Sequence, residues 1–174
     1  MKNFFSVIKL VIIIFLIFII HISVSNILPF PFNHINIAYI ALFYLIFFSK
    51  NEKNIWYFLP LTFLLELFTP IPFGITSFSL FFTIIVINWL INNLFTSTSI
   101  PFVSVLFAGG LIIYRVIFLS LSYFINYFFL GENLDLTGWV VNIGMEVGLT
   151  SAVAIVFYSI LILLGKKLNP KYLI

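Results

Sequence analysis

Few side chains in this 174-residue chain can do chemistry, since only 7% of its residues are charged and 63% are hydrophobic. Arg115 is the lone arginine and lies halfway along an apolar run, while Glu66 and Glu146 lie within two others. At 100° per residue, Ser104, Ala108, Arg115, Ser122 and Asn126 share one face of a helix. Asp135, Trp139, Asn142, Glu146 and Val153 share a face of another by the same arithmetic. An ionisable group inside an apolar helix is costly to insert, so it turns to the bundle interior and finds a partner. The expectation is a structural ion pair made by Arg115, with Glu146 at a plausible depth and Glu66 as the alternative. One arginine and two carboxylates do not make a proton path. His21 and His34 have no carboxylate at ligand spacing, and the chain has no cysteine to serve as thiolate ligand or nucleophile. Its serines lack a Gly-x-Ser-x-Gly elbow, and no phosphate-binding loop is present. These residues predict neither an enzyme nor a cofactor or metal site.

The elements that carry them are membrane spans. A soluble domain is roughly one quarter charged, so this chain could not cover its surface in water. The fold expected is all-α: a polytopic membrane helix bundle of six transmembrane helices in a single integral domain over residues 1–174. The first run extends from Met1 to Leu28. A cleaved signal peptide with a Ser23-Val-Ser25 site is the weaker alternative, because the apolar stretch continues and nothing soluble follows. The other runs are Ile35–Phe48, Ile55–Phe68, Ile75–Phe95, Ile100–Leu130 and Gly138–Leu164. Lys2, Lys9, Lys50, Lys53, Lys166, Lys167 and Lys171 all fall on one side of this arrangement, while Glu132 and Asp135 fall on the other. By the positive-inside rule both termini are cytoplasmic. The net charge of +3 thus reads as topology, not as nucleic-acid binding.

The second and third runs are short: ~14 residues give about 21 Å of helix against a hydrocarbon core of roughly 30 Å. Both are anchored at the Lys50–Lys53 loop, so the Pro-rich connections at 29–34 and 69–74 must dip into the outer leaflet. Irregular backbone survives there only in protein or around a wet cavity, which predicts an outward-facing hollow. The second of these breaks carries Glu66, Pro70, Pro72, Phe73 and Gly74. Phe68, Ile71 and Phe73 are expected to make an apolar rim for a partner segment, with Glu66 the one nearby charge. Gly144, Gly148 and Ala152 form one small-residue face, and Ser104, Ala108, Gly109 and Gly110 are the small residues of the fifth span. Such faces let helices approach closely, and packing within this chain is the favoured use. Ser79, Thr83, Asn88, Asn92 and Asn93 are expected to be interhelical glue.

The residues Leu64-Leu-Glu-Leu-Phe68, Pro72-Phe-Gly74 and Ser77-Phe-Ser-Leu80 resemble the corresponding stretch of the rod-shape-determining MreD family. Trp89-Leu-Ile-Asn-Asn-Leu-Phe95 and the long fifth span with Tyr114 also sit where that family has similar features. The acidic position is more often Asp in the family and is Glu66 here. The resemblance implies a non-enzymatic part of the bacterial cell-elongation machinery in the plasma membrane. Its partners would be an MreC-like single-span scaffold protein, other membrane proteins of that machinery and membrane lipid, and its role would be to support side-wall peptidoglycan synthesis. The family is also similar in fold to the substrate-binding S components of energy-coupling-factor vitamin transporters, which supplies the alternative. S components carry Ala-x-x-x-Ala spacing in the first span, whereas Val7–Ile20 contains neither Ala nor Gly.

Overall fold

The computed structural model describes residues 2–48, 59–69, 71–93, 99–130 and 136–168. Among these residues six α-helices follow one another: α1 (Lys2–Ile27), α2 (Ile37–Phe48), α3 (Leu59–Glu66), α4 (Ile75–Asn93), α5 (Ile100–Ile125) and α6 (Leu136–Leu168). A 3-10 turn at Phe32–His34 precedes α2, and a π turn at Asn126–Leu130 extends α5. There is no strand among the described residues. Helices α1, α4, α5 and α6 are each long and apolar enough to cross a membrane. The protein is an all-α membrane helix bundle with α2 and α3 short. The 12 residues of α2 make about 18 Å of helix.

Local chemistry sets the helix boundaries. Helix α1 stops before Pro29 and Pro31, whose rings cannot continue a hydrogen-bonded helix. The run at Ile35–Phe48 becomes helical only from Ile37, because Asn36 caps it: its side-chain oxygen accepts the Tyr39 N–H at 3.0 Å. In the third run, Ile55 to Phe58 lie outside the described residues, and the helix ends at Glu66 as the chain turns. Gly74 has φ +105, a conformation a side chain would strain, and its carbonyl accepts the first bond of α4 from Phe78. Pro101 sits in the first turn of α5, where its missing N–H costs nothing.

Helix α5 packs between α4 and α6, α2 lies against α1, α4 and α6, and α3 lies against α1 and α4. The centre is aromatic. Tyr39 and Phe43 of α2 meet Phe107 of α5 edge-on at ring separations of 5.1 and 4.9 Å. The two buried phenols of α2 donate to carbonyls, Tyr39 to that of Phe107 at 3.2 Å and Tyr44 to that of Ala154 at 2.6 Å. By contrast, only 11% of the apolar stretch of α1 is buried inside the protein, against 44% for α4. Such a helix is tolerable only where lipid covers it.

The glycine that brings helices together is Gly110. A Cβ there would run into the Tyr39 hydroxyl and the Ile87 side chain, so α2, α4 and α5 converge on this atom-sized gap. Of the small residues expected to pack, Gly110 does so, whereas Gly109 and the Gly144–Gly148–Ala152 face do not within this chain. Gly144, Gly148 and Ala152 are exposed, and a Cβ at Gly109, Gly144 or Gly148 would meet nothing. Ala108 is half-buried. The physical reason lies in α6, which turns Glu146, Thr150, Ala154 and Tyr158 inward and so directs its glycines away. The α4 series corrects another expectation. Ser79 and Thr83, though buried, donate their hydroxyls to the carbonyls of Ile75 and Ser79 in their own helix, and the Asn93 side-chain amide likewise donates to the Trp89 carbonyl.

Candidate functional site

A cavity of about 330 Å³ lies where the last turns of α1, the 3-10 turn, the end of α3 and the start of α4 meet the flanks of α5 and α6. Its position under the short helices is that of the hollow expected from the sequence. Its lining is different. His21, Ser25 and Asn26 reach it from α1, Asn33, His34 and Asn36 from the connection, and Arg115 and Glu146 from α5 and α6. Leu65, Phe68, Ile71, Leu80 and Phe118 supply apolar wall. The expectation of an apolar hollow with Glu66 as the one nearby charge is therefore overturned. The connections close only part of the cavity, while the long helices pass beside it and contribute polar side chains from their flanks.

Arg115 forms its ion pair with Glu146, through Nη2 and Oε2. The guanidinium carbon stands 5.1 Å from the ring of Tyr114 and 5.2 Å from that of Phe118, where ring quadrupoles favour a cation. The other carboxylate oxygen of Glu146 accepts the Asn36 side-chain N–H at 2.9 Å. The backbone N–H of Asn36 donates to Thr150 Oγ1 at 3.1 Å. Asn36 thus joins the start of α2 to α6 while capping α2. Sequence reasoning missed it by placing it inside the second span. An Asn directly before an apolar helical run is an N-cap signal that could have found it.

Glu66 is not part of that pair. It is buried at the end of α3 and reaches across the break to the first turn of α4. Oε1 accepts the Gly74 N–H at 2.6 Å and the Thr76 N–H at 3.1 Å, and Oε2 accepts the Ser77 hydroxyl at 2.5 Å. A carboxylate here satisfies donors that a helix N-terminus leaves open and meets the positive end of its dipole. The intervening Pro72-Phe-Gly74 turn is what lets a residue eight positions earlier act as the cap. Pro70 lies outside the described residues. Phe68 and Phe73 are both 65% exposed, with Phe68 edge-on to Phe18 and Phe73 stacked on Phe63. Ile71 is half-buried and lines the cavity, as does Phe68.

No known family model, curated protein or solved structure matches this chain. The arrangement itself joins helices, α2 to α6 through Asn36 and α5 to α6 through the ion pair. No group of three or more His, Cys, Asp or Glu among the described residues could hold a metal. Arg115 and Glu146 neutralise each other.

Proposed function

We propose that this chain is a non-enzymatic membrane component of the bacterial cell-elongation machinery. It docks an MreC-like single-span scaffold protein and supports side-wall peptidoglycan synthesis, alongside other membrane proteins of that machinery. The observation that carries this reading is how the stretch resembling the MreD family is built. Glu66, Gly74 and Ser77 form one hydrogen-bonded unit, and that unit presents Phe68 and Phe73 at the surface beside it. A rigid break with exposed aromatic side chains suits the anchoring of a membrane-tethered partner segment. The lysine asymmetry orients this end outward in the plasma membrane, with both termini cytoplasmic.

The test is co-expression with the MreC-like protein of the same source and co-purification through a tag on this chain. Recovery with the wild type and loss with Phe73→Glu, at unchanged yield and elution volume, supports the reading. Equal recovery with both proteins removes this surface from the interaction, and no recovery with either removes the partner.

One observation favours a second reading, the S component of an energy-coupling-factor transporter: the cavity offers convergent polar groups of the kind a small ligand needs. Against it stands α1, whose exposed side chains include Val11, Ile12, Phe15 and Leu16 and whose Val7–Ile20 stretch holds neither Ala nor Gly for close docking. Co-purification with a transporter ATPase module would decide for this alternative.

A further inference from the structure

We propose that the cavity is a binding site for an electrically neutral polar group that both donates and accepts hydrogen bonds. This inference holds under either reading above. Its main warrant is a set of unpaired atoms. Six buried side-chain nitrogen or oxygen atoms lack a hydrogen-bond partner among the described residues, and four of them belong to residues lining this one cavity. They are His21 Nδ1, Asn33 Oδ1, Thr76 Oγ1 and Arg115 Nε. Thr76 is only 5% exposed. These atoms have almost no accessible surface of their own, so an occupant of the cavity meets them once their side chains turn toward it, relieving a cost of ~1–3 kcal/mol for each.

The chemistry of the atoms selects that occupant. Arg115 Nε–H can only donate and Asn33 Oδ1 can only accept, while the Thr76 hydroxyl and the His21 ring can do either. The ligand must therefore present both an acceptor and a donor, as an amide or a polyhydroxylated group does. An anion is disfavoured because the charge of Arg115 is already met by Glu146, whose carboxylate also lines the cavity. A cation is disfavoured because Glu146 has committed its oxygens to Arg115 and Asn36. The volume of about 330 Å³ falls within the range of small-molecule pockets, and Phe68 and Phe118 supply apolar lining. The same neutral chemistry is available from a free small molecule or from a lipid headgroup such as a sugar.

Three probes of one shape separate the charges: benzamide, benzoate and benzylammonium. The wild type, Ser25→Ala and Ser25→Trp are purified in detergent and their melting midpoints followed against each probe. Ser25 lines the cavity, so the tryptophan fills it while the alanine leaves it open. A parallel arm holds the proteins in phosphatidylcholine nanodiscs containing either monoglucosyl diacylglycerol or phosphatidylglycerol, with retained lipid read by native mass spectrometry. The proposal expects benzamide to bind roughly tenfold tighter than benzoate or benzylammonium, or the glucosyl lipid to be retained in preference to phosphatidylglycerol. The first result assigns a free ligand and the second a headgroup. In either case the effect persists in Ser25→Ala and is lost in Ser25→Trp, with helicity and elution volume unchanged. Should Ser25→Trp fail to fold, Asn33→Leu takes its place and must weaken the neutral probe. Equal or tighter binding of a charged probe, or no binding of either neutral one, overturns the proposal.

Discussion

The side-chain amide of Asn36 donates to Glu146 at 2.9 Å while its oxygen caps α2 on Tyr39 at 3.0 Å. One residue therefore couples the start of the short second helix to the Arg115–Glu146 pair, and the three side chains act as a unit. Removing Arg115 alone leaves a buried carboxylate with only Asn36 to meet it.

Breaking a buried pair from one side typically costs ~3–5 kcal/mol, whereas replacing both members with apolar residues costs far less. Arg115→Leu should reduce folded protein, measured by fluorescence-detected size exclusion, more than Arg115→Leu combined with Glu146→Leu does. Combining Arg115→Leu with Glu66→Leu should give no rescue, because Glu66 serves the start of α4 instead.

Glu66→Ala should lower the melting midpoint in detergent by the equivalent of about 3 kcal/mol, since the Gly74 and Thr76 N–H groups lose their acceptor and the α4 dipole its counter-charge. Glu66→Asp, shorter by a methylene, should fall between the two. An unchanged midpoint for Glu66→Ala would show that the cap contributes nothing.

Glycine substitutions separate the true packing position from the apparent ones. Gly110→Ala forces a methyl group against Tyr39 and Ile87 and should destabilise by ~1–3 kcal/mol. Gly144→Ala and Gly148→Ala meet open space and gain helix propensity of up to about 1 kcal/mol, so their melting midpoints should hold or rise. A reversed order would restore the Gly144–Gly148 face as the internal contact.

These contrasts mark what the sequence could and could not tell. Long apolar runs made α1, α4, α5 and α6 legible, because lipid leaves a helix no other way to satisfy its backbone. The shortness of the runs at Ile35 and Ile55 located the hollow, through rise per residue alone. The roles of Asn36 and Glu66 were harder to see, because a cap is defined by where a side chain lands and not by its spacing within a run. The lining was misjudged for a related reason. His21, Ser25 and Asn26 lie on the helix just before the break at 29–34, and Arg115 and Glu146 lie far along the chain from both breaks in which the lining was sought, so only helix packing brings them together. Gly110 was legible only as one of several small residues on its span, because spacing does not show which glycine faces a bulky neighbour such as Tyr39.

Topology is accessible to labelling in intact cells. Asn26→Cys, at the exposed end of α1, should react with a membrane-impermeant thiol reagent, and Lys2→Cys should react only after permeabilisation. The opposite pattern would invert the orientation and place the cavity on the cytoplasmic side.

The most direct test of the elongation-machinery role is site-specific photo-crosslinking in growing cells. A benzophenone amino acid at Phe73, which is exposed beside the Glu66 cap, should crosslink to the MreC-like scaffold protein, identified by mass and antibody. The same amino acid at Val105, exposed on α5 away from the break, should not. A crosslink to the scaffold at Phe73 alone is the result expected. No scaffold adduct at Phe73, in cells where the chain and the scaffold are both present in the membrane, would contradict it.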